Sequence, residues 1–395
     1  MRDEAHMRHK GVLRILLATM ALSIALAGCA EVRERIPARA VAAEAGQPID
    51  LDAVRFAADA SPAELVETIG PLGAQPSPKL LALSGGAEDG AFGAGVLVGW
   101  SETGGRPAFD VVTGVSTGAF IAPFALLGPR YDDALTSIYT GYGADDLVVS
   151  RGLRGVLGEG LYDTAPLQAL IERYVTDAVV DEIAAAHRDG RRLLVVTTDL
   201  DVDRAIVWNL GALADLDHPD RYALFRQILL ASASIPGFFP PVLIDGIAEG
   251  RRVQEIHVDG GAIMQVLIVP ERLLAAGDRE GVEPVNPAVY VLVNNSLTSE
   301  QKLVESSALS VAERSFSTFI RSNLRSTLIG TLSMARQRDV ALNVAAVEPD
   351  FTVELTEPFD QAYMTQLFAY AREKAVAGTA WRTIEDGGVD RLLWP

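Results

Sequence analysis

Four short apolar runs limit what this chain can fold into. They are "KLLALS" (79–84), "FDVVTG" (109–114), "RLLVVTT" (192–198) and "AVYVLVNN" (288–295). None alternates apolar with polar residues, so each expects burial on both faces, as in a sheet covered by helices on either side. Longer stretches with helical spacing separate them, near 90–103, 117–128, 164–175, 220–233, 301–335 and 360–376. This succession predicts an α/β fold: a three-layer α/β/α sandwich around a central, mostly parallel sheet. Ligands of such sheets sit beyond the carboxyl ends of the strands, and there the chain gathers serines and glycines.

The second run continues into "FDVVTGVSTGAF" (109–120), where Ser116 stands between Gly114 and Gly118. A G-x-S-x-G that leaves a strand and opens a helix has the context of a nucleophile elbow. Glycines on both sides let neighbouring backbone approach without a Cβ clash. The helix opening at Thr117 also points its first amides and the positive end of its dipole at the serine. A serine hydroxyl nevertheless needs a base to take its proton.

The first run ends in "SGGAEDGAFGAG", which places Gly85, Gly86, Ala87 and Gly90 at another helix start. Such a run of N–H groups can hold an oxyanion, at about 3 kcal/mol per donor. It fits neither G-x-G-x-x-G nor G-x-x-x-x-G-K-[ST], so neither nucleotide-binding loop is supported. Further on, "HVDGGA" (257–262) closes an apolar run on Asp259, followed by Gly260 and Gly261. A carboxylate within hydrogen-bond reach of Ser116, its pKa raised by burial, can act as base without an imidazole. The plain alternative is a structural Asp-Gly turn.

Histidine is scarce. Of five in the chain, His6 and His9 lie in the N-terminal segment, and none follows His257. His187 ends a helical stretch, His218 sits in a polar loop, and His257 precedes Asp259 by two residues. A Ser-His-Asp esterase built on His257 or His218 stays open as a rival, and so does a non-catalytic, acyl-binding envelope lipoprotein.

Together the glycine turn, the G-x-S-x-G and the distant D-G-G resemble the patatin-like phospholipases. The segment "TTDLDVDRAIVWNLGA" (197–212) is similar to a strand pair of that family's bacterial lipoprotein members, and "ASASIPGFFPPV" (231–242) resembles the segment beside its acyl pocket. The resemblance implies a lipid acyl hydrolase of the phospholipase A or carboxylesterase type, working through an acyl-enzyme on a lipid or phospholipid. It makes Ser116 the nucleophile and Asp259 the general base of a Ser-Asp dyad. The amides of Gly85, Gly86 and Ala87 would form the oxyanion hole, and Gly90, Gly114, Gly118, Gly260 and Gly261 are its elbow and motif glycines. It implies neither metal nor organic cofactor. Where the family has three glycines, any residue, a basic residue and glycine, this chain has Ala87 for the third glycine and Asp89 for the basic one. Ala87 keeps a usable N–H if its φ is negative, and Glu88 and Asp89 are expected to face solvent.

Arg8, Lys10 and Arg14 precede the apolar run "ILLATMALSIALAG" (15–28), the pattern of an export signal. "LAGC" (26–29) resembles a bacterial lipobox, which implies cleavage before Cys29, lipidation of its thiol and a membrane-tethered chain; Ala30 favours the outer membrane. The expected plan is a signal peptide over 1–28, a lipidated N-terminus, tether and lead-in helix over 29–78, and the hydrolase domain over 79–395. Cys29 is the sole cysteine, so no intramolecular disulfide forms. A net charge of −18 with no Lys/Arg run argues against nucleic acid as a partner. It also makes attachment to a membrane a matter of lipid and not of anionic headgroups. No protein partner is expected. Asp199, Asp201 and Asp203 alternate like a calcium loop, but Arg204 and Leu210 stand where glycine and glutamate are needed. Residues 316–338 read as a packed surface helix, and Phe238 and Phe239 are candidates for an acyl channel.

Overall fold

A computed structural model of the protein describes residues 48–69, 77–152, 155, 158–268, 287–298, 304, 306 and 308–394. The expected signal peptide, lipobox and tether, with Cys29, lie outside the described residues. Among the described residues the central sheet has ten strands: β1 (Arg55–Ala57), β2 (Lys79–Leu83), β3 (Val111–Val115), β4 (Arg192–Asp199), β5 (Arg204–Asn209), β6 (Val242–Ala248), β7 (Arg251–Asp259), β8 (Ala288–Ser296), β9 (Ala341–Val347) and β10 (Arg382–Thr383). They run in the order β1-β5-β4-β3-β2-β8-β9-β10, with the β6–β7 hairpin attached to β4. The five central strands pair in parallel, and antiparallel strands flank them.

Both faces are buried, as the unbroken apolar runs require. Leu81, Leu83, Val112, Leu193 and Val195 turn to one face, under α1 (Gly90–Glu102), α2 (Thr117–Leu127), α4 (Arg221–Ser232) and α6 (Gln361–Val376), with α3 (Asp132–Thr140) beside them. Their neighbours Leu80, Ala82, Val111, Leu194 and Val196 turn to the other face, against Leu324, Leu328 and Leu332 of α5 (Ala308–Arg338). Each such fully buried leucine or valine contributes about 1.5–3 kcal/mol relative to exposure. No helix among the described residues is long and apolar enough to cross a membrane.

The segment expected to lead in to the domain is part of it. Leu51 and Val54 are buried in the main core, and β1 pairs with β5 in the register Phe56↔Val207. Among the described residues of that segment, Pro62–Ile69 is an α-helix and Leu51–Ala53 a single 3-10 turn. The start expected at 79 therefore moves upstream, because a short strand and its apolar neighbours close the sheet edge.

Strand register brings the chemistry together. On one edge of β4, β3 pairs with residues 192–196 and stops at Val115. From there β7 takes over the same edge from the opposite direction, pairing 197–199 and stopping at Asp259. β5 occupies the other edge over 194–199. The end of β3 and the end of β7 thus meet head to head. Beside them, Leu83 pairs with Gly114, so the turn after β2 lies next to the turn after β3.

Candidate active site

Ser116 occupies the sharp corner between β3 and α2 with φ 55° and ψ −126°. A non-glycine residue there stores about 1–3 kcal/mol of strain, held by its surroundings. The flanking glycines are steric necessities: a Cβ at Gly114 would stand 2.5 Å from the Gly118 carbonyl oxygen, and one at Gly118 would stand 2.6 Å from the carbonyl oxygens of Leu83 and Ser84. The Ser116 amide donates to the Ser232 hydroxyl at 3.0 Å, which itself donates to the Val196 carbonyl at 2.7 Å. This strut ties the elbow to β4 through α4.

Asp259 is 3% exposed. Its Oδ1 accepts from the Gly261 amide at 2.7 Å, in the turn that follows β7. Its Oδ2 is buried without a hydrogen-bond partner. Loss of water raises the Asp259 pKa to about 7, against the opposing pull of the Ser116 hydroxyl and the Gly261 amide. The hydroxyl therefore lies close enough to favour the charged carboxylate but does not close a hydrogen bond of normal geometry with Oδ2. Gly260 packs against β4, where a Cβ would sit 2.5 Å from the Val196 carbonyl oxygen.

The turn after β2 is held from behind. The Asn294 amide donates to Ser84 Oγ at 2.8 Å, its Nδ2 donates to the Ser84 carbonyl at 2.8 Å, and its Oδ1 accepts from the Gly93 amide at 3.0 Å. Three of the expected features of this turn need correction. Gly85 does not offer its N–H to the elbow, because it donates to the Gln265 carbonyl at 3.0 Å. Ala87 has φ +47°, not the negative value expected, so the alanine carries strain that a glycine would not. Glu88 and Asp89 do not face solvent: both are half-buried, and Asp89 accepts from the Tyr363 hydroxyl at 2.6 Å. Gly90 lies against the elbow, where a Cβ would meet Thr117 Oγ1 at 2.0 Å.

Ser116 opens into a narrow cleft of about 60 Å³, partly open to solvent. Phe120, Leu147, Leu170, Ile171, Ile235 and Met364 make its wall apolar, and Ala87 and Glu88 line the same cleft. The 231–242 segment reaches the cleft through Ala233 and Ile235. Phe238 and Phe239 do not line it; their rings stack on Tyr162, with centroids 6.1 and 6.2 Å away.

No described histidine bonds to Ser116 or Asp259. His257 is fully buried, with Nδ1 at 2.9 Å from Thr197 Oγ1 and Nε2 at 3.1 Å from Glu255 Oε2. His218 Nδ1 accepts from the Asp220 amide at 3.2 Å, in its loop. His187 sits at the end of the helix Asp177–Arg188. The ligand atoms of Asp199, Glu255 and His257 lie within 4.8 Å of one another. Arg55 grips both oxygens of Glu255, one at 2.9 Å, which makes the group a buried ionic tie between β1 and β7. It does not use the calcium-like spacing of Asp199, Asp201 and Asp203.

Sequence reasoning singled out the serine, the aspartate and the glycines but not Ser232, Gln265 and Asn294, which bond to these segments. Asn294 alone left a trace, as a polar residue ending an otherwise apolar strand.

The patatin-like phospholipase family model matches residues 81–270, a span running from β2 through both turns and Asp259. No curated protein matches the chain. Among solved structures, VipD from Legionella pneumophila aligns with a TM-score of 0.37 and 11% identity, over 79% of this chain and 68% of its own. ExoU of the Pseudomonas aeruginosa type III secretion system, solved with SpcU, aligns with a TM-score of 0.27 and 14% identity, over 79% of this chain and 54% of its own. Over residues 81–270, the stretch that builds the strands, the elbow and the carboxylate, this chain is thus similar to the patatin-like phospholipases.

Proposed function

We propose that the protein is a lipid acyl hydrolase that cleaves carboxylic esters through an acyl-enzyme, with Ser116 as nucleophile and Asp259 as general base. The observation that carries the reading is the meeting of β3 and β7 on one edge of β4, with Asp259 Oδ2 left without a partner beside the elbow. Asp259 takes the hydroxyl proton as Ser116 Oγ attacks the acyl carbonyl, and it returns that proton to the departing alcohol. It then takes a proton from water, whose oxygen attacks the acyl-enzyme, and the acid leaves as Ser116 regains its hydrogen. General-base assistance of this kind gives about 10²–10⁴-fold in rate.

The oxyanion falls to the amides of Gly86 and Ala87, which donate to no other group among the described residues, while that of Gly85 is tied to Gln265. Each donor is worth about 10²–10³-fold. The apolar cleft suits an acyl chain and no group in the scheme calls for a metal or cofactor. Cys29 is proposed as the point of lipid attachment to a bacterial envelope membrane, with the outer membrane favoured by Ala30.

A Ser-His-Asp mechanism has no support in the placement of His257, His218 or His187. The acyl-binding rival shares the cleft and differs only in chemistry. A fluorophosphonate probe separates them: labelling of the purified protein that vanishes in Ser116→Ala supports the hydrolase. Absence of labelling in the parent protein, or labelling that survives the substitution, overturns it. Release of fatty acid from a panel of phospholipid and neutral ester vesicles then identifies the substrate.

A further inference from the structure

Glu88 stands where a carboxyl group is chemically out of place. It lines, together with Ser116, a cleft whose walls are otherwise apolar side chains and the Thr117 and Tyr139 hydroxyls. Hydrolysis of an ester in that cleft leaves a fatty acid, and its new carboxylate forms at Ser116, in the cleft that Glu88 lines. We propose that Glu88 is a specificity-determining residue, which admits neutral acyl esters and excludes the anionic acid, so that product is expelled and does not hold the site. The inference rests on the assignment of Ser116 as the reacting group.

The surroundings of Glu88 fit this role. Its turn is packed by α1, α2, α6 and β8. α2 carries no titratable residue and α1 only Glu102, at its distant end. α6 presents Tyr363, whose hydroxyl is engaged by Asp89, and α3 presents Tyr139, whose hydroxyl pairs with Thr117 Oγ1 at 2.6 Å. β8 presents the neutral Asn294, turned to Ser84 and Gly93. No cation among the described residues acts on Glu88; loss of water and the neighbouring Asp89 charge raise its pKa to about 7. Below that pH the carboxyl is neutral and tolerates a carboxylate beside it. Above it, two like charges in a partly dry cleft repel, enough for about a tenfold change in affinity.

Asp259 titrates in the same range, so the test removes it. Binding of octanoate and of its neutral isostere octanamide is measured by calorimetry on the full-length Asp259→Asn protein, between pH 6 and 8.5. Octanoate is ionised throughout that range. Its affinity is expected to fall about tenfold as pH rises, while that of octanamide stays constant. In Asp259→Asn/Glu88→Gln, octanoate should bind equally at both ends. A pH-independent octanoate affinity in the Asp259→Asn protein overturns the proposal, as does a fall that persists without Glu88. Failure of both ligands to bind removes the acyl cleft itself, and the proposal with it. The pH series on Asp259→Asn decides the matter even where the double variant does not fold. None of these readouts needs the nucleophile, so a failed fluorophosphonate experiment is distinguishable from a failed Glu88.

Discussion

Asp259 rests one carboxylate oxygen on the Gly261 amide and keeps the other buried and unpartnered, in a carboxyl close to the Ser116 hydroxyl. The fixed oxygen orients the carboxyl, and the free one is the atom able to receive a proton. Buried without a cation, this acid is neutral over much of the range in which an exposed aspartate is charged.

On the proposed mechanism, activity depends on ionising Asp259. With its pKa raised to about 7, kcat/KM for a neutral ester should rise through that pH and level off above it. The same shift acts on stability with the opposite sense. A carboxyl that holds its proton more tightly when folded stabilises the protein at low pH, and that contribution is lost as pH rises through the folded value. Asp259→Asn should thus lower kcat by about 10²–10⁴-fold and yet raise the melting temperature at pH 8 relative to the parent. A variant that is both active and destabilised at pH 8 contradicts the role.

Asn294 supports the glycine turn through three hydrogen bonds, and its carbonyl oxygen lies 1.9 Å from where a Cβ at Gly86 would be. Gly86→Ala must push the turn away from the elbow. It is expected to cut kcat by about 10²-fold or more through a displaced oxyanion donor, with KM for a soluble ester little changed. Asn294→Ala should lose about 1–3 kcal/mol, because the buried groups it serves are left unsatisfied. Steady-state kinetics and denaturant melts read the two effects apart.

Ala87 pays for its left-handed backbone. Ala87→Gly relieves that strain, of about 1–2 kcal/mol, and gives back part of it in unfolded-state entropy. A net gain of about 0.5–1 kcal/mol is expected in chemical denaturation, with activity retained. Loss of stability would mean the turn is not strained as described.

His257→Ala separates structure from chemistry. The ring joins Thr197 to Glu255 and packs against Trp208, with ring centroids 5.6 Å apart. Its removal should cost about 1–3 kcal/mol while fluorophosphonate labelling of the folded protein persists. Complete loss of labelling with the fold intact would revive an imidazole base.

Much of this was legible in the chain. Buried parallel strands carry an unbroken apolar signal, so β2, β3, β4 and β8 could be read directly, and the elbow is marked by glycines that local sterics demand. Ser116 and Asp259 were identifiable because each closes a strand before a glycine turn. What could not be read were relations across the sheet. β1 is three residues long, too short for a periodic signal, and its place depends on β5. The orientation of Glu88 depends on the backbone conformation of Ala87, which residue identity argued against. Gly85 looked like a donor because nothing nearby in sequence discloses that Gln265, on a distant loop, already takes its hydrogen.

The Arg55–Glu255 ion pair joins the first strand of the fold to the strand that presents Asp259. Trimming the protein from its N-terminus therefore reaches the packed core by Ile49, the first buried position among the described residues. A cut beyond Arg55 would strip an interior glutamate of its counterion and slacken the strand that carries the carboxylate, so the catalytic machinery begins some sixty residues ahead of the serine it serves.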